Sequence, residues 1–367
     1  MRIIFHHPLP LNYNATSASG IRPLKMIEAF KALGCEVALV TGYSAERKQK
    51  ILKIKESINN GVEYDFVYSE SSTMPTLLTD KNHLPLSPFV DFGFFSFCRR
   101  CDIPIGLFYR DIQWAFKEGS SNGSYFKELV ARFFYKYDLY CYQKYLNKMY
   151  LPSLDMGNYI PIVDKSKFEE LPPGHSKLLS NNINNQLCDK SEYNLFYVGG
   201  FGGLYKMHNL FEAVSNLPSY KLTVCTRQSE WEAVRHQYED FLSDNINIIH
   251  ESGKALRFFF DKSDILLLYL EPLKYGGFAL PFKLFEYIGE RKPILASRKT
   301  LWGHFVEKNN LGFVIDYDAD ALKAFLKCLP NFSDEYNDKV AALNSVAIEH
   351  TWLKRAEKVI KDLKGEL

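Results

Sequence analysis

Lys283 and Glu286 lie three residues apart in a stretch that reads as the opening of a helix. Gly276 and Gly277 supply a turn just ahead, and Pro281 suits a first helical position. At that spacing the two side chains share one face, a cation at the helix mouth and a carboxylate one turn deeper. A helix start offers unpaired N–H groups and the positive end of the dipole, so it cradles phosphate. The backbone around Phe282, with the Lys283 ammonium, suits a diphosphate, and Glu286 can accept hydrogen bonds from ribose hydroxyls. A nucleoside diphosphate is the ligand this stretch fits.

A second cluster complements it. Gly199, Gly200, Gly202 and Gly203 follow a strand-like run at 194–198, and Lys206 stands near the next helix start. Such a loop either lets backbone approach a phosphate closely or is merely a turn. Its order differs from the Gly-x-Gly-x-x-Gly of dinucleotide folds, and the following strand ends at Arg227 rather than at an acid. Arg227 is a candidate nucleotide contact or a surface charge. Arg110 and Asp111 follow a strand candidate at 105–109, where α/β sheets bind ligands. Asp111 there could position an acceptor hydroxyl, act as a base or touch a sugar, with Arg110 beside it. Equally, the two could pair to lock a loop. The polar stretch 9–20 ends at Ser19 and Gly20, with Arg22 at the start of the next helix. His6, His7, His208 and His304 read as structural.

The elements that must position these residues alternate. Strand candidates at 2–6, 36–41, 64–68, 105–109 and 149–152 are interleaved with helical patterns such as 21–33, and a further short strand precedes Pro172. The Asn- and Ser-rich stretch 175–193 reads as a linker or hinge. Alternation then resumes with strands at 194–198, 221–225, 246–250, 265–270, 294–296 and 313–315. Two successive parallel α/β layers are expected, and a helical tail from about 334 to 367. Residues 126–149 interleave aromatics with Arg132, Lys136, Lys144 and Lys148; such a helix is core on one reading and a membrane-surface contact on the other.

The chain has 367 residues, too many for one ordinary core. Its 46% hydrophobic and 24% charged content is that of a globular protein, and a formal net charge of +2 argues against nucleic acid as the main ligand. The seven cysteines, odd in number, are expected to be reduced cytoplasmic thiols. No apolar run approaches the roughly 20 residues of a membrane span, and no signal peptide is expected before the first strand.

The run Pro281-x-Lys283-x-x-Glu286-Tyr287, followed by Lys292-Pro293-Ile294-Leu295-Ala296-Ser297, resembles the donor-site signature of GT-B glycosyltransferases, family 4 (glycosyl transferases group 1) in particular. The resemblance extends over nearly the whole chain and is strongest in its second half. It implies two Rossmann-like domains facing a central cleft. The first, an acceptor domain, is 1–175 completed by C-terminal helices of about 345–367. A linker of 176–193 leads to a donor domain of 194–344. The glycine loop, Lys206, Arg227, Phe282, Lys283 and Glu286 would then hold a nucleotide-diphosphate sugar, and Ser19, Gly20 and Arg22 would border the acceptor. Many family members carry another glutamate eight residues before Glu286, where this chain has Phe278, and an arginine after the glycine pair, where it has Phe201.

What the resemblance implies is sugar transfer to a saccharide acceptor, polyprenyl-linked or otherwise, in bacterial surface polysaccharide synthesis. Anomeric configuration would be retained, with no metal and no cofactor beyond the donor substrate. Contact with the inner face of a membrane would be peripheral. A nucleotide-sugar 2-epimerase of the same architecture and a non-catalytic sugar-nucleotide binder are the alternatives.

Overall fold

A computed structural model of the chain describes all residues except 16, 117–124, 177–189, 204, 274–276, 278–279 and 366–367. The chain divides into two compact units, Met1–Pro173 with Trp352–Leu367 and Gly174–Thr351. Most of the expected linker, together with Gly276 and Phe278, lies outside the described residues.

The N-terminal unit runs β1 (Arg2–His7), α1 (Ala18–Ala32), β2 (Glu36–Thr41), α2 (Ser44–Asn59), β3 (Phe66–Glu70), α3 (Val90–Arg100), β4 (Ile105–Phe108), α4 (Tyr125–Tyr145), β5 (Lys148–Leu151) and β6 (Phe168–Glu170). Its strands form one six-stranded sheet in the order β2-β1-β3-β4-β5-β6, and every pairing is parallel. Helices cover both faces of such a sheet, so its inner strands carry continuous apolar runs: Ile3, Ile4 and Phe5 of β1 are fully buried. Strand β3 begins two residues later than its β-type run at 64–68, because Asp65 turns its carboxylate onto the Arg2 N–H at 2.7 Å. Glu70 thereby enters the strand's carboxyl end.

The second unit runs β7 (Tyr193–Val198), α5 (His208–Ser215), β8 (Tyr220–Cys225), α6 (Gln228–Val234), β9 (Ile246–Ile249), α7 (Leu256–Lys262), β10 (Ile265–Leu268), α8 (Phe282–Glu290), β11 (Ile294–Ser297), α9 (Leu301–Lys308), β12 (Gly312–Ile315), α10 (Ala319–Cys328) and α11 (Ser333–Glu349). Its six strands, again all parallel, take the order β12-β11-β10-β7-β8-β9. Successive connections leave β7 toward one edge and return at β10 toward the other. The carboxyl ends of β7 and β10 therefore flank the point where strand order reverses, the position at which such sheets bind ligands.

The helical tail is broken at His350 and Thr351, and α12 (Trp352–Lys364) belongs to the N-terminal unit. Trp352, Ala356, Val359, Ile360 and Leu363 form its buried stripe, and Arg355 donates to the carbonyls of Pro172 and Pro173 at 3.0 and 3.1 Å. Burying each large apolar side chain of that stripe contributes about 1.5–3 kcal/mol, enough to hold a helix far from its unit in sequence.

Candidate functional site

The loop after β7 and the start of α8 meet at the reversal point of the second sheet. Pro281 is the N-cap of α8 rather than its first helical residue, and it has no side-chain group with which to cap that end. Lys283 leans back from it across Gly199: a Cβ on that glycine would fall 1.5 Å from Lys283 Cε and 1.9 Å from Nζ. Only glycine admits the lysine in this rotamer. Gly202 and Gly203 turn the loop with φ of 75° and 54°, where side chains are strained.

Burial sets the electrostatics. It lowers Lys283 to about 8, against the raising effect of Glu286 and Glu230. It raises Glu286 to about 7, with Lys283 pulling the other way. Among the described residues neither side chain has an ion-pair partner in contact. The Lys283 ammonium instead lies 5.4 Å from the Tyr197 ring centre and 4.9 Å from that of Tyr205. Tyr287, one residue past Glu286, accepts a hydrogen bond from Val198 N–H at 3.1 Å and so ties α8 to the end of β7.

Other expected donor residues sit nearby with work of their own. Arg227 is exposed and pairs with Glu230, whose second oxygen accepts from Phe201 N–H at 3.1 Å. Lys206 pairs with Glu271 at 3.3 Å, just past β10. Phe201 is 5% exposed and packs on Phe211, Trp231 and Tyr238, so the position where an arginine was looked for faces the core. Tyr197, Tyr205, Glu230 and Glu271 were missed in the sequence. The two tyrosines bracketing the glycines were the available signal.

In the N-terminal unit the carboxyl edge of the sheet gathers His7, Glu70, Ser71, Arg110 and Asp111. Arg110 donates to Ser71 O at 3.3 Å and to Glu70 Oε2 at 3.5 Å, so its partner is Glu70 rather than Asp111. Asp111 accepts from Gln113 N–H at 3.0 Å. His7 donates from Nδ1 to Glu70 O at 3.0 Å, and burial lowers it to about 3, which keeps it neutral. Ser19 is exposed with its hydroxyl 3.0 Å from that of Ser17, and Gly20 N–H donates to Ser17 O at 3.0 Å. Helix α1 begins at Ala18, which puts Arg22 in its second turn with its side chain buried. Its guanidinium is 3.4 Å from the Phe108 ring centre, 3.2 Å from Glu70 and within hydrogen-bond reach of the Leu171 and Pro172 carbonyls. Arg22 is a fixture of the fold.

Two spacings suggestive of other chemistry resolve as structural. Asp316-Tyr317-Asp318 has the Asp-x-Asp form, yet Asp318 caps α10 by accepting from Ala321 N–H at 2.8 Å, and Asp316 faces Arg298 at 3.5 Å. Cys98-Arg99-Arg100-Cys101 has redox spacing, but it closes the C-terminal end of α3, and burial pushes Cys98 up to about 12. Reactive thiols need the reverse. Among the described residues no group of three or more His, Cys, Asp or Glu side chains is arranged to hold a metal ion, and no helix is long and apolar enough to cross a membrane.

Two six-stranded parallel α/β units, the second closed by a helix returned to the first, constitute the GT-B fold. No family model matches the chain, and no curated protein matches its sequence. Solved structures do. Sucrose-phosphate synthase from Thermosynechococcus elongatus aligns over 98% of this chain and 97% of its own, with 11% identity and a TM-score of 0.65. Anabaena HepE in complex with UDP aligns over 99% of both chains, with 10% identity and a TM-score of 0.66, and HepE is also known with UDP-glucose. WaaG, a glycosyltransferase involved in lipopolysaccharide biosynthesis, aligns over 99% of this chain and 100% of its own, with 16% identity and a TM-score of 0.61.

Proposed function

We propose that this chain is a glycosyltransferase that moves a sugar from a nucleotide-diphosphate sugar to a saccharide acceptor. One observation carries the reading: a lysine held against a glycine at the mouth of α8, with a carboxylate one turn deeper, at the reversal point of a Rossmann-like sheet. Lys283 and the first amides of α8 take the diphosphate, with Lys206 and Arg227 flanking it. Glu286 accepts from the ribose hydroxyls. As the bond from the anomeric carbon to phosphate breaks, negative charge grows on the leaving diphosphate, which these donors would stabilise. The acceptor oxygen forms the new bond to that carbon, and its proton passes to the leaving phosphate oxygen. No resident metal is needed for this distribution of charge.

The finer assignments belong to the same proposal. Transfer retains configuration, as the family 4 signature implies, and the N-terminal unit takes the acceptor near Ser19, Gly20 and Asp111. The acceptor is a lipid-linked saccharide of surface polysaccharide synthesis, met at the cytoplasmic face of the membrane. The outer face of α4 supports that location: Leu129, Phe133 and Tyr140 are exposed there beside Lys136 and Lys144.

Replacing Glu286 with Ala tests the donor assignment. A charge-assisted hydrogen bond is worth about 1.5–3 kcal/mol, so turnover per unit donor should fall about tenfold or more. Unchanged donor kinetics would contradict the assignment.

A further inference from the structure

Among the described residues the half-buried Lys283 has no carboxylate in contact. Its ammonium rests between two tyrosine rings, 5.4 Å from the Tyr197 centre and 4.9 Å from that of Tyr205. Both rings are themselves fixed. The Tyr197 hydroxyl donates to Gly200 O at 2.6 Å. Tyr205 exchanges backbone hydrogen bonds with Gly202, at 2.8 and 3.2 Å, and its ring lies across Gly200, where a Cβ would come within 3.0 Å of it. The glycine pair is thus explained residue by residue: Gly199 seats the lysine stem and Gly200 seats the ring that covers it. Tyr205 is 36% exposed, at the rim of the site, whereas Tyr197 is fully buried.

We propose that Tyr205 is a positioning residue for donor binding, its ring face holding the Lys283 ammonium over the diphosphate seat. The proposal rests on the donor-site reading above. An aromatic face attracts a cation through its quadrupole and uses none of the ammonium's three N–H donors. A carboxylate partner would consume those donors and would have to be displaced by the incoming phosphate. The ring instead delivers a charged lysine with its rotamer already fixed, so less side-chain freedom is lost when the donor binds.

A double-mutant cycle separates this role from direct contact with the ligand. Calorimetry would use the diphosphates of uridine, guanosine, adenosine and cytidine, on the whole chain and on Tyr205→Leu, Tyr205→Phe, Lys283→Ala and Tyr205→Leu/Lys283→Ala. For the diphosphate that binds, Tyr205→Leu should weaken affinity about three- to tenfold, and Tyr205→Phe should stay within about twofold of the parent. In the Lys283→Ala background Tyr205→Leu should change nothing further, because the group it serves is gone. Additive losses would overturn the proposal, since Tyr205 would then be acting on the ligand itself. Should Tyr205→Leu fail to fold, fluorinated phenylalanines at 205 keep the ring's shape while draining charge from its face. Affinity must then fall with each added fluorine, and a flat response overturns the proposal. If Lys283→Ala binds like the parent, or no diphosphate binds the parent, the donor-site reading fails and this proposal with it.

Discussion

Burial moves two side chains of the proposed donor site in opposite directions. Lys283, ordinarily protonated to well above neutrality, is brought down to about 8, and Glu286 is brought up to about 7. Donor binding asks for the ammonium to meet phosphate and for the carboxylate to accept from ribose. Raising the pH through about 7 ionises Glu286 and should improve binding; raising it through about 8 strips the proton from Lys283 and should undo it. The pH profile of donor kcat/KM is therefore expected to be a narrow bell, and Glu286→Gln should abolish its acid limb alone. A profile flat from about pH 6 to 9 would show that these groups do not govern donor capture. Lys283 and Glu286 were legible from type and spacing. The tyrosines around Lys283 were not, because aromatic residues flanking a turn read as core until their rings are placed. Arg22, at the start of α1, was expected to border the acceptor. Its true partners, Glu70, Phe108 and the Leu171 carbonyl, are distant in sequence, and no local pattern could reveal them.

Helix α4 shows how one element can satisfy two readings. Its inner face packs Asp138, Leu139 and Tyr142 into the unit, as an aromatic stripe should. The outer face nonetheless leaves Phe133 65%, Tyr140 63% and Leu129 54% exposed, beside lysines that could meet lipid phosphate. Each such lysine contributes about 1 kcal/mol toward an anionic surface. Co-sedimentation with vesicles of about one-third anionic lipid should retain the parent chain at low salt and release it as salt rises. Reversing Lys136 and Lys144 to Glu, with Phe133→Ser, should cut binding tenfold or more; equal retention of parent and variant would remove α4 from any membrane role. Other elements were visible in outline only. The apolar runs and turn residues indicated where strands and helices alternate, but the shift of β3 followed from the Asp65 side chain, which no periodicity reports.

At the scale of the whole molecule, the alternation of short apolar strands with helices indicated parallel sheets, and both units have them. Strand order could not be read in the same way, since it depends on which distant runs pair. Yet that order matters most for function: placing β7 beside β10 brings the glycine loop against α8 and assembles the site from segments about 80 residues apart. The return of α12 to the N-terminal unit is another non-local outcome, secured by Trp352, Ile360 and Leu363 rather than by any signal in the preceding chain. The most direct test of the account is calorimetric titration of nucleoside diphosphates against the parent chain and Lys283→Ala. One diphosphate should bind the parent well ahead of its own nucleoside, and Lys283→Ala should weaken it about tenfold or more through loss of a charge-assisted contact. A diphosphate that binds both proteins alike, or binds no better than its nucleoside, would contradict it.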